Sequence, residues 1–191
     1  RLLRPSSVIH FEPGMDRSPD FGIIRSLFRF GLPTGVQGIA MNIAGVLLLR
    51  FIGSLPTSAE AQAAFAVGYT ELFSLITWTS VGLMGAAATI TGQNLGAHKP
   101  ERAVEGVQVA SHIGLGVAGV VGALFLVIPR YLLAIFGMTD PVVIDIANLL
   151  LRYLSLSGFF ITVALCYTGA LQGTGDTRSP LYISIVSQIV I

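Results

Sequence analysis

Six polar side chains, able to form hydrogen bonds or in some cases to carry a charge, interrupt otherwise apolar stretches of the chain. They are Gln37 and Asn42 in 31-GLPTGVQGIAMNIAGVLLLRFIG-53, Glu71 in the stretch opening near Ala61, and Asn148, Arg152 and Tyr153 in the one opening near Val142. In hydrocarbon each such group needs a partner on a neighbouring helix or a watered cavity, which makes all six candidates for a transport pathway. Gln37 and Asn42 suit interhelical hydrogen bonding equally well. Glu71 is the only carboxylate well inside a stretch of this kind. Cation or proton coupling, an outer vestibule, and pairing with Arg50 are all open to it. Arg152 either pairs structurally with a carboxylate or a helix C-terminus, or lines a pathway. His112 and Gln188 are further polar residues at the same depth.

Enzyme chemistry finds no foothold. There is no Ser/His/Asp arrangement, no H-E-x-x-H and no P-loop. The segment 114-GLGVAG-119 matches G-x-G-x-x-G. A dinucleotide site needs that motif between a strand and a helix start, and here it lies in the middle of an apolar run. Gly106, Gly114, Gly116, Gly119 and Gly122 are better read as small residues that let helices approach closely. Cys166 is the single cysteine, which excludes a disulfide framework and a cysteine-based metal site. No cofactor or metal is expected.

The elements that carry these residues follow from composition. Of 191 residues 53% are hydrophobic and 11% charged, against about 25% charged in an ordinary soluble domain. So few charges cannot cover a soluble surface, and the chain reads as an all-α, polytopic transmembrane helix bundle. A net charge of +1 gives no basic face for a nucleic acid, and the expected surroundings are a lipid bilayer.

Residues 1–20, with Pro5, Pro13 and Pro19, read as a turn-rich linker. Asp20 is placed to cap 21-FGIIRSLFRF-30, a helix expected to lie at the membrane surface, with Arg25 and Arg29 on one face. The spans are expected at 31–53, 61–94, 103–128, 142–171 and, truncated, 180–191, with Pro33 at the start of the first, where it costs least. The second is roughly 50 Å long at 1.5 Å per residue, longer than the ~30 Å hydrocarbon core. Its expected bend is at 82-GLMGAAA-88. Basic residues divide eight (Arg1, Arg4, Arg17, Arg25, Arg29, Lys99, Arg102, Arg178) against two (Arg50, Arg130), which makes the residue 1 side cytoplasmic. Both ends look cut, so the chain is expected to be a piece of a longer one.

Three stretches carry a family resemblance. The pattern 82-GLMGAAATITGQNLGAHKPERA-103, with Gln93, Gly96 and Ala97 at its elbow, resembles the end of the second or eighth helix of multidrug and toxic compound extrusion (MATE) transporters. The stretch 151-LRYLSLSGFFITVALCYTGALQGTGDTRSP-180, closing on Gly173, Gly175, Asp176, Arg178 and Pro180, resembles the fourth or tenth. A looser match is 30-FGLPTGVQG-38. Together they cover nearly everything from Phe28 to Ile191 in family order.

The resemblance implies most of one six-helix lobe of a twelve-helix transporter with an inter-lobe pseudo-two-fold axis. Residues 1–30 would be the cytoplasmic inter-lobe linker with its interfacial helix, and the rest helices seven to eleven; helices one to five is the other placement. It also implies a multi-pass protein of the plasma (inner) membrane that exports small amphipathic, often cationic drugs in exchange for H⁺ or Na⁺ by alternating access. Some branches of the family carry carboxylates in the seventh and tenth helices, whereas 37-QGIAMNIAG-45 and 158-GFFITVALC-166 have none. The coupling ion is therefore expected mainly in the other lobe of the same polypeptide. A lipid-linked oligosaccharide flippase of the same superfamily and a non-transporting truncated remnant stand as alternatives.

Overall fold

The computed structural model describes residues 18–190. Among these the chain is helical, with no strand: α1 (Phe21–Gly53), α2 (Ser58–Phe65), a π-helical segment (Ala66–Leu72), α3 (Ser74–Gly96), α4 (Pro100–Val127), α5 (Pro129–Ile135), α6 (Pro141–Gly173) and α7 (Arg178–Val190). Among the described residues four stretches are long and apolar enough to cross a membrane: Phe21–Gly53, Ser58–Gly96, Pro100–Val127 and Pro141–Gly173. Residues 1–17 of the expected linker and Ile191 lie outside the described residues, as does the side chain of Gln188.

Asp20 starts α1 by accepting the backbone N–H groups of Gly22 at 2.8 Å and Ile23 at 3.2 Å. From that cap the helix runs without a break through the segment expected at the membrane surface and into the apolar run. Pro33 consequently sits inside the helix and not at its start. Proline removes the donor that would pair with the Arg29 carbonyl, and beside that gap Thr34 Oγ1 donates to the next carbonyl, that of Phe30, at 3.2 Å.

The second long helix departs from regular geometry elsewhere than expected. Residues 82–88 lie within the uninterrupted α3, and the irregularity falls at Ala66–Leu72, where Phe73 N–H donates to the Gly68 carbonyl five residues back at 3.1 Å. Rings spaced four apart run through this segment, with centroids 4.8 Å apart for Phe65 and Tyr69 and 5.6 Å for Tyr69 and Phe73. Gly68 lets α6 come close, since a Cβ there would meet Leu150 Cδ2 at 3.0 Å.

α3, α4 and α6 pack on one another, α2 and α5 lean against α6, and α1 pairs with α7 and the start of the second helix. One end of the bundle is filled by side chains, among them Phe73, Ile76, Phe125, Leu133, Leu151 and Leu154. Toward the other end the helices touch by their backbones. A Cβ on Gly169 would lie 2.1 Å from the Met84 carbonyl oxygen, and one on Gly173 2.4 Å from that of Ala88. On α4, Gly106, Gly114 and Gly122 abut Ile90, Thr162 and Ser155. Gly116 faces open space and Gly119 makes only ordinary contact, so the glycines of α4 are not equivalent.

Candidate functional site

The polar groups fall into three sets. The first is a closed contact at the centre of the bundle. Ser80 on α3 and Thr162 on α6 are both buried, and their hydroxyls lie 2.8 Å apart. Ser80 also donates to the Ile76 carbonyl at 2.7 Å, so Thr162 is the donor in the shared bond. Neither residue was among the sequence candidates. Ser and Thr satisfy themselves on their own helix so readily that hydropathy gives them no signal. A better clue lay in register, because Thr162 falls on the stripe of Gly158, Cys166 and Gly169 that α6 buries.

The second set belongs to α1. Gln37 Nε2 donates to Ser184 Oγ of α7 at 2.6 Å, a direct polar link between the two helices. Asn42, five residues on, turns back to its own helix and donates to the Gly38 carbonyl at 2.8 Å. These two candidates are therefore not brought together, and Asn42 remains exposed.

The third set lies toward the opposite end from the α6–α7 turn. Glu71 is exposed on the π-helical segment, and its carbonyl accepts from Ser74 Oγ. π-Helical turns recur at functional sites because they shift the register of a helix face. Asn148, Arg152 and Tyr153 share α6, which packs on that segment. Arg152 and Tyr153 are exposed, whereas the side-chain Oδ1 of Asn148 is buried with no hydrogen-bond partner. A buried acceptor of this kind costs stability until something donates to it. His112 closes onto its own helix through the Gln108 carbonyl at 2.7 Å.

The turn after α6 holds most of the remaining motif residues. Gly175 adopts φ +87°, a left-handed conformation that other residues take at a cost. Asp176 then starts α7: its Oδ1 accepts the backbone N–H groups of Arg178 at 3.1 Å and Ser179 at 3.0 Å, and its Oδ2 accepts the Ser179 hydroxyl. These bonds, the Ser179 hydroxyl first, hold the Asp176 carboxyl below its ordinary pKa. Pro180 is fully buried. At the other elbow Gln93 and Gly96 are exposed in the last turns of α3, and Ala97 ends the helix by donating to the Gln93 carbonyl. His98 turns the chain with φ +55°. Both elbows are thus built from capping and backbone geometry.

Comparison with known proteins decides the family. The MatE family model matches residues 33–191. The chain belongs to the MatE family. Among the relatives of this MatE chain are a probable multidrug resistance protein NorM of Thermotoga maritima, 28% identical, and the multidrug resistance protein PmpM of Pseudomonas aeruginosa, 30% identical. A third is the multidrug resistance protein MdtK of Pectobacterium atrosepticum, 28% identical. The alignments cover 88%, 87% and 91% of the MatE chain and 36%, 34% and 37% of the respective relatives. The chain therefore spans about a third of the length of the curated relatives it matches. Family and helices together make it part of a multi-pass integral membrane protein.

Proposed function

We propose that the MatE chain forms part of a multidrug efflux transporter, a secondary antiporter that exports small amphipathic, often cationic compounds in exchange for H⁺ or Na⁺. The observation that carries this reading is the family match across 33–191, joined to relatives that are named as multidrug resistance proteins. The physics suits it. α1 is a long apolar helix with no buried residue, a surface that can receive varied apolar partners with few directional bonds. Glycine-to-backbone contacts let helices slide as a transporter rocks between two states.

In this reading residues 31–191 supply helices seven to eleven of a twelve-helix protein, residues 1–30 the linker from the preceding lobe, and the residue 1 side faces the cytoplasm of the inner membrane. Gln37, Asn42, Glu71, Asn148, Arg152 and Tyr153 contribute to the pathway, with Asn148 as the best placed acceptor for a bound donor. The coupling ion binds mainly outside this chain. Two observations support that assignment: 37–45 and 158–166 hold no carboxylate, and the second stretch is packed through Gly158, Thr162 and Cys166.

The test follows a fluorescent cationic dye in proteoliposomes containing the complete polypeptide to which these residues belong, under an imposed pH gradient and then an imposed Na⁺ gradient. Dye efflux driven by either gradient supports antiport and names the ion. A folded protein that moves no dye under both refutes the reading. Glu71→Gln is expected to leave coupled transport largely intact, and coupling abolished at normal expression would place the ion on this chain after all.

A further inference from the structure

Three guanidinium groups meet where α1 and α7 begin. Arg25 and Arg29, one turn apart on α1, and Arg178, the first residue of α7, line a groove of about 500 Å³ with Ser26, Phe28 and Leu32. No carboxylate is among the lining residues. The two acids closest along the chain are occupied by capping. Asp20 accepts the first N–H groups of α1, and Asp176, beside Arg178, accepts those of Arg178 and Ser179 and the Ser179 hydroxyl. One aspartate next to one of three arginines leaves the groove with a positive field.

Phe28 and Leu32 also wall a second groove of about 400 Å³, which runs along α1 past Gly31, Gly35 and Ile39. Its floor is open, because a Cβ on Gly31 or Gly35 would meet nothing within 4 Å. From Leu27 to Ile39 the channel is roughly 18 Å long at 1.5 Å per residue. One leaflet of a ~30 Å hydrocarbon core has about that depth. A cationic mouth thus continues into an open apolar strip on α1 about as long as one acyl chain.

We propose that this composite groove binds an anionic phospholipid, with its phosphate held by Arg25, Arg29 and Arg178 and one chain laid over Gly31 and Gly35. Guanidinium forks match phosphate oxygens, and basic pockets between membrane helices select acidic headgroups. A free phosphate would use the mouth and leave the channel without a role. A cationic drug would be repelled at the mouth. The occupant also bridges α1 and α7, which the Gln37–Ser184 bond links deeper along the pair. The inference needs only the membrane setting, so failure to move dye does not bear on it.

The experiment is native mass spectrometry of the purified protein in mild detergent, titrated with phosphatidylglycerol, with phosphatidylcholine of the same chains, and with inorganic phosphate. Phosphatidylglycerol is expected to be retained over phosphatidylcholine, with roughly a fivefold loss of affinity for each of R25Q, R29Q and R178Q. Gly35→Leu, whose Cβ would meet nothing within 4 Å and whose side chain would occupy the groove, should weaken phosphatidylglycerol severalfold. Circular dichroism and elution volume confirm that each variant is folded, and the three single substitutions are independent, so one misfolded variant leaves the others to decide. Equal retention of the two lipids, or a preference that survives the arginine substitutions, overturns the proposal. So does phosphate competing fully while Gly35→Leu has no effect, which would mark a headgroup site without a lipid chain.

Discussion

α1 and α6 have the same length, 33 residues, and both are strongly apolar, yet they occupy opposite situations. α6 buries a residue at every third or fourth position from Val143 to Gly169, whereas α1 buries none. Average hydrophobicity does not separate them. What differs is where the small residues fall and what meets them. On α6, Gly158, Gly169 and Gly173 each bring another helix within a distance that a methyl group would forbid. On α1, Gly31, Gly35, Gly38 and Gly45 have nothing within 4 Å. A glycine at an interface converts apolar length into a packed contact, and the same glycine facing outward leaves a groove. In a bilayer, where lipid tails solvate apolar surface as well as another helix does, this difference in fit decides which helices form the core.

The sharpest way to break the comparison is to exchange methyl groups between the two helices. Gly169→Ala on α6 puts a Cβ against the Met84 carbonyl and should cost on the order of 3 kcal/mol, read as a loss of thermal stability or of folded yield in detergent. Gly31→Ala on α1 should be neutral or gain up to about 1 kcal/mol through helix propensity. Equal effects at the two sites would mean that the close approach on α6 is not what holds the bundle.

A smaller effect is expected at the polar contact that α6 shares with α3. Ser80→Ala removes the acceptor of the buried Thr162 hydroxyl and should cost about 1–2 kcal/mol, measured by the same melts. Gln37→Leu, which removes the link from α1 to α7, should cost no more than about 1 kcal/mol because the site is only half-buried. Its expected readout is faster amide exchange in α7, with α6 unchanged. Protection lost in α6 as well would show that the α1–α7 pair supports the core.

The smallest effect concerns pH at the α6–α7 turn. Asp176 has its pKa lowered in the folded protein by the bonds from Ser179 and Arg178, so its contribution is present above the ordinary aspartate pKa. It is lost as the pH falls through the lower, folded value. Below that range amide exchange at the start of α7 should accelerate, and Asp176→Ala should show the faster exchange already at neutral pH. Identical pH profiles for the two proteins would remove the aspartate from the cap.

Much of this was open to reading in one dimension. Scarcity of charge was enough for an all-helical, membrane-spanning class, and the two elbow motifs with their spacing were enough for the family. Among the polar residues, hydropathy singled out those that break an apolar run and passed over Ser80, Thr162 and Ser184, whose hydroxyls hide on their own helices until a neighbour arrives. It also ranked alike residues that the structure treats differently. Gln37 reaches a second helix, Asn42 folds back on its own, and Asn148 is left with a buried oxygen unmet.

Local chemistry, then, settled what each segment is. Apolar length makes a helix in lipid because every backbone group must be paired within it, and caps such as Asp20, Asp140 and Asp176 start helices wherever they stand. Tertiary structure alone decided which glycines are contacts and which are grooves, and placed the irregular turn at 66–72 and not at 82–88. Those outcomes depend on the shape of a surface that belongs to another part of the chain. No window of sequence contains both sides of such a contact.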